Sequence, residues 1–129
     1  MAETQAVVPY LLYEDGEAAA AFLTEAFGFR EVNRAIGAAG GMHLEFETGR
    51  GGQVYAGQAP TGYRNPSAVG RTSIVHVMVD GVDEHYKQAK AAGATITEEL
   101  VDTPFGHRRY GCRDPQGHEW TFAQEIDQA

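Results

Sequence analysis

Residues 110–122 read YGCRDPQGHEWTF, and the pattern in this stretch decides the fold of the chain. Its centre, Asp-Pro-Gln-Gly at residues 114–117, predicts a tight turn: aspartate suits the first position, proline presets φ at the second, and glycine fits the fourth. Strand-like residues on both sides make the stretch a predicted β-hairpin. Beyond the turn, aromatic residues alternate with smaller or polar ones. We therefore expect Trp120 in the core, and Glu119 and Thr121 on the opposite, open face.

The first half of the chain predicts a strand, a helix and three further strands. Alternating residues indicate the first strand at residues 5–13. Apolar residues at helical spacing follow, with Asp15 as the expected N-cap and Gly28 as the expected C-terminal stop. Residues 29–57 then form three strand-like runs separated by glycines, which is typical of strands joined by tight turns.

The second half repeats that order of elements. A strongly β-forming run at residues 73–79 precedes a helix whose expected N-cap is Asp83, and weaker strand patterns lead into the closing hairpin. Residues 58–71 contain two prolines and two glycines, so they are the expected linker. The chain thus predicts a βαβββ unit twice. We expect one domain over residues 1–129, with module one at about residues 5–57 and module two at about residues 72–124.

This order of elements and the Asp-Pro-x-Gly-His-x-Trp hairpin resemble the vicinal oxygen chelate superfamily, which includes glyoxalase I, bleomycin-resistance proteins and extradiol dioxygenases. The form of the hairpin is most similar to the PhnB-like and glyoxalase-like small proteins of that superfamily. The resemblance implies an α+β fold in which two βαβββ modules form a curved mixed sheet around a cleft, with the helices outside.

The composition limits the partners and the compartment. The net charge of −8 argues against binding nucleic acid or an anionic membrane surface. No apolar run approaches the ~20 residues of a membrane span, and residues 1–5 lack the basic and apolar character of a signal peptide. Cys112 is the only cysteine, so no internal disulfide can form and a cytoplasmic location is expected.

The resemblance also implies where a metal would bind. Metal-dependent members of the superfamily use one ligand from the first strand and one from the last strand of each module. Asp15 and Asp83 are 68 residues apart, and that spacing and the turn place the four positions at Val8, Ala56, His76 and Thr121. Only His76 is a strong ligand, so no cofactor is expected. A shift of two residues would admit Gln58 or Glu119, which leaves a Zn, Ni, Fe or Mn site at His76 and Glu119 as the alternative. His43 and Glu45 share one face of a predicted strand, where they form either a metal pair or a polar surface contact.

Two functions remain open, and so does the question of whether the chain is an enzyme. The first is a metal-free binding protein of the bleomycin-resistance kind, which sequesters an aromatic or cationic compound such as an antibiotic. The second is a metal-dependent lyase, isomerase or dioxygenase of the glyoxalase kind, acting on vicinal oxygens with Glu119 as general base. A C2 homodimer is expected in either case. The expected ligand-binding residues are Tyr10, Leu12, Tyr63, Ile74, His76, Met78, Tyr110 and Thr121.

Overall fold

A computed structural model of the chain describes residues 5–37 and 40–126. Residues 1–4, which form most of the segment predicted not to be a signal peptide, lie outside that range. Module one contains β1 (Tyr10–Tyr13), α1 (Gly16–Phe27), β2 (Arg30–Ile36), β3 (Met42–Gly49) and β4 (Gly52–Gln58). Module two follows a short helix α2 (Pro66–Val69) and contains β5 (Ile74–Met78), α3 (Val82–Ala91), β6 (Thr95–Asp102), β7 (His107–Arg113) and β8 (Glu119–Glu125). The predicted βαβββ order is confirmed in both modules.

Each module forms its own four-stranded mixed sheet, in the orders β1-β4-β3-β2 and β5-β8-β7-β6. The first strand of each module runs parallel to the last one, and the remaining pairs are antiparallel. The helix after each first strand lets the chain cross over to make the parallel pair. No hydrogen-bonded strand pair joins the two sheets within residues 5–37 and 40–126. The α+β class with two modules is confirmed.

The helix caps predicted from the sequence are confirmed in module one only. A carboxylate oxygen of Asp15 accepts the N–H of Ala18 at 3.0 Å, and Gly28 ends α1 with a φ of 71°. The cap predicted at Asp83 is wrong, because Gly81 precedes α3 in the left-handed region with a φ of 70°. Asp83 lies in the first turn instead, where its charge complements the helix dipole. The two N-caps are therefore 66 residues apart, and every correspondence between the modules shifts by two residues.

The predicted linker is not entirely irregular. It contains α2, which begins at Pro66 because proline fits the first turn of a helix without losing a hydrogen bond. The backbone N–H of Ser67 donates to the carbonyl of Gln116 at 3.2 Å, which holds the linker against the closing turn. No helix of the described part of the chain is long and apolar enough to cross a membrane.

Both modules contribute to one aromatic core. Phe27, at the end of α1, packs on Trp120 and Phe122 of β8, with ring centroids 5.2 and 4.7 Å apart. Phe29 also meets Trp120, at 5.6 Å. Trp120 is 0% exposed, so its predicted place on the core face is confirmed. Helix α1 of one module therefore covers part of the sheet of the other, and the modules are packed as a single unit.

A buried carboxylate fixes the closing turn to module one. One oxygen of Asp114 accepts the hydroxyl of Tyr13 at 2.6 Å and the indole N–H of Trp120 at 3.1 Å. The other oxygen accepts the backbone N–H groups of Gln116 and His118 at 3.2 and 3.0 Å. Burial, together with the charge of Asp114, raises the pKa of Tyr13 well above its usual value, so the phenol keeps the proton that it donates. The turn is thus held both to its own hairpin and to β1.

Trp120→Ala should lower the free energy of unfolding by about 3–5 kcal/mol, because truncating a large buried aromatic removes apolar contacts and leaves a cavity. Chemical denaturation followed by circular dichroism measures the change. Tyr63→Ala is a suitable control, since Tyr63 is 54% exposed and its loss should cost no more than about 0.5 kcal/mol. A near-neutral result for Trp120→Ala would contradict the assigned faces of β8.

Candidate functional site

The side of each sheet that turns away from the helices remains open. Alternation along the strands places one set of side chains in the core and the other set on this open side. We name the open side of the first sheet face one and that of the second sheet face two. Face one carries Tyr10, Leu12, His43, Glu45 and Tyr55. Face two carries Ile74, His76, Met78, Arg109, Glu119 and Thr121.

Face one contains a hydrogen-bonded chain of three side chains. Nδ1 of His43 lies 2.8 Å from the hydroxyl of Tyr10, and Nε2 of His43 lies 2.8 Å from a carboxylate oxygen of Glu45. A carboxylate only accepts hydrogen bonds, so Nε2 carries a proton, and in the neutral imidazole Nδ1 accepts the proton of the Tyr10 hydroxyl. Burial and the nearby charge of Glu45 both raise the pKa of Tyr10, which keeps its phenol protonated. His43 and Glu45 thus form a polar contact on their strand, with Tyr10 as the third member.

Face two contains a neutral histidine and a carboxylate that is paired with an arginine. Nδ1 of His76 lies 2.5 Å from the hydroxyl of Thr121 on the neighbouring strand. Burial, followed by the positive charges of His107 and Arg109, lowers the pKa of His76 below its usual value. The imidazole is therefore uncharged at neutral pH. The carboxylate of Glu119, the predicted general base, accepts a hydrogen bond from Arg71 at 2.6 Å.

Seven of the nine predicted site residues lie on the two open faces. Tyr10 and Leu12 lie on face one, and Ile74, His76, Met78, Glu119 and Thr121 lie on face two. Tyr63 is exposed in the linker. Within the described residues, no hydrogen bond or ring contact joins a side chain of face one to a side chain of face two.

The predicted ligand contact of Tyr110 is wrong. Tyr110 is 0% exposed and pairs with Phe122 across the hairpin, so its side chain points toward the helices. Its hydroxyl lies 2.6 Å from Nδ1 of His85, whose Nε2 lies 2.9 Å from the carbonyl oxygen of Phe27. Burial raises the pKa of Tyr110 and lowers the pKa of His85. Counting back from the turn at residues 114–117 would have shown that Tyr110 and Phe122 share a face.

Two of the metal-ligand positions inferred for module one also lie on the core side of their sheet. Ala56 is fully buried opposite Leu44. The side-chain oxygen of Gln58 accepts the backbone N–H of Gly16 at 2.7 Å, and its amide donates to the carbonyl of Glu14, so Gln58 holds the start of α1. Neither residue can reach the open side of the sheet.

The corrected spacing gives a different set of equivalent positions. Residues 66 apart make Tyr10 the counterpart of His76, and Tyr55 the counterpart of Thr121. The two strand registers agree, since Tyr10 pairs with Tyr55 and His76 pairs with Thr121. Two phenols, one hydroxyl and one imidazole do not fit a divalent metal, which prefers imidazole and carboxylate donors. No group of three or more His, Cys, Asp or Glu in the described part of the chain is placed to hold a metal.

One cavity lies beside His76, and a second lies away from these four positions. One of about 380 Å³ is lined by Pro9 and Gln53 of the first half and by His76 and Met78 of β5, so the two halves of the chain meet there. Another of about 310 Å³ lies on the helix side, between α1 and the closing turn. None of the predicted site residues lines the second cavity.

Comparisons with known proteins agree with this architecture. The sequence model of the Glyoxalase/Bleomycin resistance protein/Dioxygenase superfamily matches residues 6–122. TioX from Micromonospora sp. ML1 has a crystal structure that is similar with a TM-score of 0.72 and 37% identity, over 95% of this chain and 100% of that chain. A glyoxylase/bleomycin resistance protein/dioxygenase domain from Frankia sp. EAN1pec shares the fold with a TM-score of 0.77 at 13% identity, over 99% of this chain and 96% of that chain. An uncharacterized protein of Mycobacterium bovis is 29% identical over 94% of this chain and 84% of its own length.

Proposed function

The chain belongs to the Glyoxalase/Bleomycin resistance protein/Dioxygenase superfamily, and from this premise we propose that it binds a small organic molecule on its open faces without a metal. One observation carries the proposal. The four equivalent strand positions hold Tyr10, Tyr55, His76 and Thr121, a set that suits stacking and hydrogen bonding better than metal coordination. The open faces are thus kept as binding surfaces while the metal ligands of the metal-dependent members are replaced.

The chemistry of the open faces favours a planar or cationic ligand. Tyr10 and Tyr55 offer aromatic surfaces on which a flat ring can stack. Met78 adds an adaptable apolar contact. The net charge of −8 attracts a positively charged compound toward the protein. Sequestration of an antibiotic, as in the bleomycin resistance branch of the family name, fits these properties.

A metal-dependent enzyme of the glyoxalase kind is the second candidate. The observation that favours it is that His76 and Glu119 lie on the same face of two paired strands, and an imidazole and a carboxylate are donors that suit a divalent metal. This candidate also requires Glu119 to leave Arg71 and become a ligand or a general base. Metal content distinguishes the two functions.

Purified protein dialysed without chelator should carry well under one equivalent of Zn, Ni, Fe or Mn, since one imidazole does not hold a divalent metal against water. Elemental analysis by plasma mass spectrometry measures the content. His76→Ala is the matched variant and should show the same low content. Nearly one equivalent in the parent protein that disappears in His76→Ala would establish the enzyme alternative instead.

A screen of aromatic and peptide antibiotics should give at least one compound that stabilises the folded protein. Binding to the folded state alone adds about 2.7 kcal/mol at a hundredfold excess over Kd, which is large enough to detect as a thermal shift. Tyr10→Ala or His76→Ala should weaken the effect, whereas Lys90→Ala on the outer side of α3 should not. A library without any stabilising compound, or stabilisation that neither face variant changes, would contradict binding on the open faces.

We further propose that the protein is a homodimer with twofold symmetry, the commonest arrangement among oligomers. Apolar groups on both open faces remain accessible in the single chain, with Tyr10 49% and Ile74 54% exposed. Sedimentation velocity should give a species of twice the 14.0 kDa chain mass. A monomer that persists at high protein concentration would rule this assembly out.

A further inference from the structure

Four residues of face one form a corner with two aromatic walls. Glu45, Tyr55 and Tyr10 are direct neighbours on three adjacent strands, because Tyr55 pairs with both of the others. The ring of Tyr55 stands at 84° to the ring of Tyr10 and at 84° to the ring of His43, with centroids 6.3 and 5.4 Å away. The rings of Tyr10 and His43 are only 29° from parallel. We name this set of four the Tyr55 corner.

Gly57 makes the corner possible. Tyr10 reaches His43 by lying across β4 above Gly57, which is the strand partner of His43. A Cβ atom at position 57 would lie 2.7 Å from the hydroxyl oxygen of Tyr10 and 3.1 Å from its Cε1. An alanine there would displace the ring, because real Cβ contacts are not that short. The glycine is needed here for close approach of a side chain, not for its backbone conformation.

Module two provides an internal comparison. Its residues 66 positions later are His76 in place of Tyr10, Arg109 in place of His43 and Ala123 in place of Gly57. Among the described residues, His76 makes no hydrogen bond to β7, although its ring lies nearly parallel to that of His107 on that strand, with centroids 6.5 Å apart. His76 bonds to its neighbour Thr121 instead, and Arg109 pairs with Glu98 at 3.0 Å. In the described part of the chain, the hydrogen bond across the middle strand is therefore a feature of module one.

The corner presents acceptors, aromatic surface and one negative charge. The proton of the Tyr10 hydroxyl is directed to His43, so the oxygen keeps its lone pairs for an incoming donor. Glu45 accepts the other ring N–H of His43, and its side chain remains 26% exposed. Among the ion pairs of the described residues, Glu45 has His43 as its partner and no lysine or arginine. A carboxylate flanked by aromatic rings is an arrangement that attracts organic cations.

We propose that the Tyr55 corner is the subsite for a cationic ammonium group of the ligand that face one binds. The inference rests on the proposed binding function. It adds that module one binds the positive charge of the ligand, and it names the residues that do so. Tyr10, Tyr55 and His43 supply the aromatic walls, and Glu45 supplies the counter-charge. Gly57 acts as a positioning residue, since it touches no ligand and only allows Tyr10 to reach its place.

The test compares choline with 3,3-dimethylbutan-1-ol, an uncharged molecule of nearly the same shape. Nuclear magnetic resonance titration at low salt should show choline perturbing the ring signals of Tyr10 and Tyr55, with the alcohol binding at least about threefold more weakly. Glu45→Gln keeps the shape of the corner and should weaken choline binding by about the same factor. Gly57→Ala should also weaken it, although no contacting group is removed. Lys90→Ala on the outer side of α3 is the control and should leave the choline affinity unchanged.

The outcomes separate this inference from the function on which it depends. Equal affinity for choline and the alcohol, or choline binding that neither Glu45→Gln nor Gly57→Ala reduces, would overturn the cation subsite. If antibiotic hits sensitive to Tyr10→Ala are then found, the binding function stands without it. If Gly57→Ala does not fold, as judged by its thermal transition, Glu45→Gln alone decides the result. Failure of choline and of every antibiotic would overturn both proposals.

Discussion

The rest of the structure depends on the buried carboxylate of Asp114. A buried charge is costly unless its oxygens receive hydrogen bonds, and here four donors supply them. Two of the donors belong to the turn itself, one to Trp120 of the same hairpin, and one to Tyr13 in the other module. A residue that shapes a local turn therefore also fixes β1, 101 positions earlier in the chain. The ring of His118 reinforces this connection through the carbonyl of Leu12 at 2.8 Å.

Both open faces follow from this anchored register. Tyr13 is held inward against Asp114, so alternation along β1 also places Leu11 in the core. The residues between and before them, Leu12 and Tyr10, therefore face the open side. The same logic in β8 sends Trp120 inward and Thr121 outward. The side chains available to a ligand are thus selected by core packing.

The sequence predicts what is local and fails where two distant strands must be aligned. The element order, the cap at Asp15, the stop at Gly28 and the burial of Trp120 follow from spacing within short segments. The placement of Ala56 on the open side was wrong by one residue, and a one-residue error moves a strand side chain to the other face, since the open position is Tyr55. The face of Tyr110 follows from its pairing with Phe122 across the closing turn, and the pattern of its own strand does not indicate it. The contact of Tyr10 with His43 depends on a register between three strands, which no single segment contains.

Different residues at matched positions give the two modules different chemistry. Their strands share the same register, so a residue of one face has a counterpart on the other 66 positions away. Where module one has Gly57, a first-strand ring lies flat across the sheet and joins a histidine and a carboxylate. In module two the first-strand histidine bonds to Thr121 and its ring lies 6.5 Å from that of His107, and an arginine occupies the position of His43. The duplicated architecture therefore presents one acidic, aromatic surface and one surface that combines imidazole, guanidinium and carboxylate groups. A fold built from two similar units can offer different groups to the two ends of an unsymmetrical molecule, because several matched strand positions carry different side chains.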